Sequence, residues 1–337
     1  MNFLSKITLT FAVALVPLAT AHAQDSLESL HQQAVDAGQT EINVYLPAVR
    51  AFQPLIDKFT EAYPDITVTT TELSGPALFA RLEAEKATGA MNADFIISGD
   101  LDFPVLAEDG WLQAFEPLGV ESLGEAYVGA DNGWIVWALG PVGVVVNTTV
   151  VDKDGPHSWS DLNSPEFAGK MVINNPATPS TSTVSMATLF AEGRIDDAWV
   201  DGFAAQNPST AASTSAMMQS MATGQYPVAP FLPYALYRVL AAQGAPVDFW
   251  FMEDGNPAMP LSAGIVAGAP HADAGRLFSS WLISDQGVAL QNSLGQISTV
   301  DGAPKQEGLT EVLAVTGQDL SDALSDWKSR AARLGAN

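Results

Sequence analysis

The densest set of ligand-holding groups in this chain is Asn174-Asn175-Pro176-Ala177-Thr178-Pro179-Ser180-Thr181-Ser182-Thr183, where five of the last six residues carry hydroxyls. The stretch follows a β-rich run, Met171 to Asn174, and leads into a helical pattern from about Thr183 to Ala191. A helix start offers free backbone N–H groups and the positive end of the dipole. Hydroxyls placed there can hold a phosphate, phosphonate or carboxylate with no Lys or Arg. Capping the helix uses one hydroxyl, so the surplus in Ser180, Thr181, Ser182 and Thr183 points to a ligand. A second hydroxyl cluster, Ser209 to Ser215, includes Ser213, also precedes a helix, and is expected to face the first. Tyr234 follows Pro233 at the start of another helix, with Tyr237 on the same face; its ring can line a cleft and its hydroxyl can donate to an anion.

Conventional catalysis is harder to assemble. Beyond residue 23 the histidines are His31, His157 and His271, none beside a Gly-x-Ser-x-Gly elbow or a metal-spaced partner. Walker A and Gly-x-Gly-x-x-Gly patterns are absent, and without cysteine there is no thiolate nucleophile, Cys-ligated zinc or iron–sulfur cluster. The reading is no catalytic residue, no metal site and no cofactor; acid pairs among 38 Asp plus Glu leave an exported hydrolase as a distant alternative. Only 14 Lys plus Arg oppose those acids, and a formal charge of -24 repels nucleic acid and anionic bilayers. The acids are spread along the chain, which describes a solvated surface more than a binding patch.

The elements that must position these groups alternate. A helix over Asp25–Ala37, a strand over Glu41–Leu46, a helix ending at Pro64, a strand over Ile66–Thr71, a helix over Pro76–Thr88, a strand over Ala93–Ser98 and a helix over Asp102–Asp109 form a parallel α/β unit. Ligands of such sheets sit beyond the carboxyl ends of the strands, which exposes Pro47–Arg50, Ser74–Pro76 and Ser98–Asp100 and makes Arg50, Ser74, Gly75, Ser98 and Asp100 candidates. The apolar run Val142–Asn147 suits a strand buried on both faces and marks the passage into a second α/β lobe. That lobe has strands expected at Met171–Asn174 and Val228–Phe231 and helices at Ala216–Ala222 and Tyr234–Ala242. Val247–Met252 and Ser262–Val266 are expected to return to the first lobe, and Ala272–Ser293 forms a long helical region interrupted at Gly287. Trp134, Trp137 and Trp250 lie near these crossings.

At the N-terminus, Lys6 precedes the apolar stretch Ile7–Ala19, which Pro17 breaks, and Ala21-His22-Ala23 places small residues at a cleavage site. A signal peptide over residues 1–23, cleaved near Ala23, is expected. The lobes are expected to comprise 24–140 with 251–300, and 141–250, with 301–337 forming a C-terminal helical segment packed on both.

Four strings carry a resemblance: Ile42-Asn43-Val44-Tyr45, Asn92-Ala93-Asp94-Phe95-Ile96-Ile97-Ser98-Gly99-Asp100, Trp159-Ser160-Asp161-Leu162 with Phe167-Ala168-Gly169-Lys170, and Trp281-Leu282-Ile283-Ser284-Asp285-Gln286-Gly287. In this order they resemble the periplasmic solute-binding proteins of ABC transporters, in the ferric-iron-binding-like branch of extracellular solute-binding family 1. The resemblance implies an α/β, two-lobed, type II periplasmic-binding-protein fold with a hinge and an interlobe ligand cleft. It also implies a small-molecule ligand, delivery to a permease in the inner membrane, and a monomer working in the periplasm. Ferric-binding members use adjacent tyrosines with a His and a carboxylate. Here Tyr234 matches the first tyrosine, Ala235 stands at the second, the Leu46–Arg50 loop holds no His, and Gly99 stands where the carboxylate belongs. The retained Thr178–Thr183 loop is similar to that of relatives binding phosphonates or phosphate esters. The expected ligand is therefore a small phosphorus-containing organic anion such as 2-aminoethylphosphonate, with ferric iron or a polyamine as the alternatives. The anion would lie on Ser74, Ser98 and Thr181–Thr183, an amino end on Asp100, Tyr234 or Trp250, and Arg50 would either clamp the anion or stay on the surface.

Overall fold

The computed structural model describes residues 26–151, 157–176, 178 and 180–334. The expected signal peptide lies outside the described residues, and among them no helix is long and apolar enough to cross a membrane. The chain opens with α1 (Leu27–Asp36), started by Ser26 and Ser29 in a reciprocal capping box. It continues through β1 (Glu41–Leu46), α2 (Val49–Ala62), β2 (Thr67–Glu72), α3 (Gly75–Thr88), β3 (Phe95–Gly99) and α4 (Asp102–Glu108). β1 lies between β2 and β3 and is parallel to both. α2 turns Phe52, Leu55, Ile56 and Phe59 onto this sheet, one apolar stripe at helical spacing.

β4 (Ile135–Asn147) then runs for 13 residues, nearly all of them buried. Next come β5 (Val172–Asn174), α5 (Thr181–Ala191), α6 (Asp197–Ala205), β6 (Ser209–Ala211), α7 (Thr214–Ala222), β7 (Val228–Pro233), α8 (Tyr234–Ala242) and β8 (Val247–Trp250). The chain ends with β9 (Asn256–Ile265), α9 (Ala272–Leu282), α10 (Asp285–Ser293), β10 (Ile297–Ser298), β11 (Val312–Leu313) and α11 (Gly317–Leu334).

The pairing of β4 divides the molecule. From Ile135 to Pro141 it is antiparallel to β9, which in turn pairs with β3 from Phe95↔Ile265 to Gly99↔Leu261. From Val142 to Asn147 the same strand pairs with β7 and β8. One sheet thus has the order β2-β1-β3-β9-β4-β10, and the other gathers β7 and β8 around β4, with β5 parallel to β6 and Met171 bridging Val228 in parallel. Each sheet has its own core. Phe59, Phe95, Phe278 and Trp281 pack in the first lobe, and Trp159, Phe203, Phe231 and Trp327 in the second.

Three departures from the sequence reading have physical causes. The strand expected at Val142 begins seven residues earlier, so Trp137 is core at 1% exposure. Its flanking Gly and Pro read as breakers, whereas Gly140 and Pro141 lie within the ladder to β9. The 272–293 helix breaks at Ile283–Ser284 and not at Gly287: Ser284 caps α10, and a Cβ on Gly287 would lie 2.3 Å from the Leu282 carbonyl oxygen. Ser209–Ala211, expected only as part of a hydroxyl cluster before a helix, form β6, since β5 offers them a parallel edge. α6, held by its Asp196 cap and by Trp199 stacked on Phe203, lacked any expectation.

Glu85 fixes α3 against its sheet. It is 4% exposed and accepts from the Tyr45 hydroxyl of β1 at 2.5 Å, from Arg81 Nε at 2.6 Å, and from the backbone amides of Asn92 and Ala93 before β3. Burial opposes its charge, but the hydrogen bonds from Tyr45, Asn92 and Arg81 outweigh it and hold the carboxyl below its ordinary range. A depressed acid stabilises the fold above its unfolded pKa of about 4.3 and loses that contribution as pH falls through the lower folded value. Glu85→Gln is therefore expected to lower the melting temperature at pH 7, with the gap to the wild type closing as pH is lowered below about 4. Melts at several pH values measure this; a gap independent of pH contradicts it.

Candidate functional site

Six helices start at the carboxyl ends of parallel strands. In the first lobe β1, β2 and β3 feed α2, α3 and α4; in the second β5, β6 and β7 feed α5, α7 and α8. Each start brings amides with no partner inside the helix and a positive dipole end.

The second lobe gathers hydroxyls at its helix starts. Ser180 caps α5, its Oγ accepting from the Thr183 amide at 3.2 Å and lying 2.9 Å from Thr183 Oγ1, and Thr183 Oγ1 donates to the Thr178 carbonyl. Ser182 is buried, accepts from the Asn174 amide at 3.1 Å and sits 3.4 Å from Asn174 Oδ1. Thr181, half-buried, opens α5, and its hydroxyl has no hydrogen bond among the described residues. Asn174 Nδ2 also donates to Thr214 Oγ1 at 3.4 Å, so one side chain holds the starts of α5 and α7 side by side. Ser213 caps α7 by accepting from the Ala216 amide and is exposed. Asn174 thus bridges the two hydroxyl clusters. Tyr234 begins α8 half-buried, its ring packed against Phe249 at 5.0 Å and Phe251 at 5.1 Å, and its hydroxyl has no partner among the described residues.

β7 is strained just before α8. Gly143 pairs with Leu232 and Val144 with Pro230, so Phe231 is an extra residue in β7, and it sits at φ 65°. A bulky residue there costs on the order of 1–3 kcal/mol and persists only when its surroundings hold it. Trp159, stacked on the Phe231 ring at 5.1 Å with a 7° interplanar angle, supplies that hold.

The first lobe presents carboxylates. Ser98 Oγ donates to Asp102 Oδ2 at 2.6 Å, and the Gly75 amide, at φ 51°, lies 3.4 Å from the same oxygen. Glu72 takes the Val49 amide at the start of α2 at 3.2 Å. Ser74 and Arg50 are exposed and make no side-chain hydrogen bond among the described residues. Asp100 is 1% exposed and turned inward, accepting from Ser262 Oγ at 2.5 Å and from the Gly317 amide at the start of α11. Trp250 pairs on β8, half-buried. Asp102 and Glu72 were missed in the sequence because carboxylates in a first helical turn or at a strand end read as ordinary caps; the Ser98-to-Asp102 spacing was the available signal.

Two cavities bear on the site. One of about 480 Å³ brings Leu101, directly after the β3 loop, together with Pro176, Thr178 and Thr183 of the other lobe and with α11. Another of about 660 Å³, bounded by α4, the 112–136 segment and residues 316–318, carries Asp100, Glu108, Glu125 and Asp131 and no basic residue. None of its walls comes from residues 141–250, so a ligand there would not bridge the lobes.

Two α/β lobes that share long crossing strands, with helix starts gathered between them, define the type II periplasmic-binding-protein fold. Residues 103–310 match the family model described as bacterial extracellular solute-binding protein, and the chain belongs to that family. A probable ABC transporter periplasmic-binding protein of Sinorhizobium fredii is 25% identical over 274 residues, 77% of this chain and 74% of the relative. Iron-bound HitA of Pseudomonas aeruginosa superimposes with a TM-score of 0.70 at 18% identity, covering 88% of this chain and 99% of that one. The periplasmic binding protein AfuA of Actinobacillus pleuropneumoniae, with fructose-6-phosphate bound, gives 0.65 at 19% identity, covering 86% and 98%.

Asp100→Asn is expected to lose about 1.5–3 kcal/mol of unfolding free energy, since a buried charged acceptor serves two donors. Denaturant unfolding measures this, and a wild-type midpoint would show that the carboxylate does not anchor α11.

Proposed function

We propose that the chain is the periplasmic substrate-binding component of an ABC transporter, capturing a small phosphorus-containing organic anion and delivering it unaltered to an inner-membrane permease. What supports this reading is a split in chemistry between the lobes: hydroxyls and helix-start amides gather at α5, α7 and α8 in one, and the carboxylates Asp102 and Glu72 stand beside the helix starts of the other. A zwitterion such as 2-aminoethylphosphonate fits that split. Its phosphonate would accept from the Thr181 hydroxyl and the α5 amides, with Ser213 and Tyr234 alongside, and its ammonium would meet Asp102 near Ser74, Gly75 and Ser98. The fructose-6-phosphate bound to AfuA supports a phosphorylated ligand for this fold, and the name of the Sinorhizobium fredii relative supports the transporter. Binding to both lobes would favour a closed form, in the monomer, about a hinge near Pro141, with 24–140 and 251–300 turning against 141–250.

The test is a thermal-shift screen with 2-aminoethylphosphonate, phosphate esters, inorganic phosphate, polyamines and ferric citrate, followed by titration calorimetry. Stabilisation by the phosphonate or an ester is expected. Thr181→Ala should weaken every phosphorus ligand about 10- to 100-fold, the loss of a charge-assisted hydrogen bond, while Asp102→Asn should weaken only those carrying an amine. A shift with ferric citrate or polyamine alone overturns the ligand assignment, and equal losses for amine-bearing and amine-free ligands in Asp102→Asn overturn the orientation.

A further inference from the structure

The 480 Å³ cavity is more apolar than a small zwitterion requires. Leu101, Pro176, Trp327 and Ala331 form its walls, and Thr178 and Thr183 join it to the start of α5. Lys328 is the sole charged residue in the lining; it is exposed and makes no ion pair among the described residues. In a chain where acids outnumber bases 38 to 14, a free lysine beside an apolar cavity marks a place for negative charge next to hydrocarbon. Trp327, 1% exposed, gives the cavity a fixed aromatic wall.

We propose that this cavity is a subsite for an apolar substituent carried by the bound anion. The receptor would then accept phosphonates and phosphate monoesters bearing a short alkyl or aryl group, with the headgroup on the α5 start, the chain between Leu101 and Ala331, and Lys328 at the rim. The inference rests on the reading of α5 as the anion site and extends it from headgroup to ligand class. Because Leu101 belongs to one lobe and Pro176 to the other, a chain lodged there touches both and favours closure.

Calorimetry with methyl-, butyl- and hexylphosphonate against wild type, Ala332→Trp and Lys328→Gln tests this. Ala332 is exposed on α11 and lines the cavity, so a tryptophan there fills the space from the solvent side, and the ligand-free melting temperature controls for folding. In the wild type, affinity should rise about fourfold per buried methylene. Ala332→Trp should abolish that rise, and Lys328→Gln should weaken all three ligands. Affinity independent of chain length, or a rise that survives Ala332→Trp, overturns the subsite. If 2-aminoethylphosphonate binds and no alkylphosphonate does, the subsite fails and the headgroup reading stands. If neither binds, the headgroup reading fails, and anilinonaphthalene sulfonate fluorescence decides the cavity: enhancement lost in Ala332→Trp supports it, and no enhancement overturns it.

Discussion

A single backbone ladder sets the geometry of this molecule. β4 gives its hydrogen bonds to β9 as far as Pro141 and to β7 and β8 from Val142 on, so both sheets are cut from one continuous strand. The helix starts of the two lobes are therefore placed by a common element, and the groove between them is specified before any ligand contact is made. Backbone groups inside a buried sheet must be paired, so the switch of partners cannot slide along β4 without orphaning amides in the core. The near-continuous burial of the strand is the sequence-level price of that placement.

On the proposed reading, the groove that results would hold an anion without cationic side chains at its centre. Arg50 is exposed, and Arg330 and Arg333 are occupied by Asp197 and Asp201 of α6. On that reading, recognition would fall to amides, hydroxyls and helix dipoles, whose positions are set by caps such as Ser180 and Ser213 and by the bridge through Asn174. Fixed dipoles need little reorganisation when a charge arrives, so they hold an anion with less conformational loss than long flexible side chains would.

Much of this was legible in the sequence. Strands β1 to β3, helices α3 and α4, the start of α8 and the juxtaposition of the two hydroxyl clusters follow from periodicity, caps and the rule for strand ends. What was not legible is long-range. Nothing local to Asp100 says that it will turn inward to Ser262 and Gly317, residues 162 and 217 positions away. Phe231 looks like any strand residue until Trp159 is stacked on it. α6 is short, and its face is defined by partners from distant segments, so periodicity alone could not separate it from loop.

α11 carries a mechanical consequence. Its first amide is held by Asp100 in the first lobe, while Trp327, Ala331 and Leu334 are embedded in the core of the second. A helix of 18 residues spans about 27 Å, long enough to act as a tie rod between the halves. With β4 and β9 it makes three connections, and a body joined to another at three places has few ways to move. Such a tie would oppose shear and free tumbling of the halves, so the lobe rotation proposed above would run about an axis close to the crossing strands.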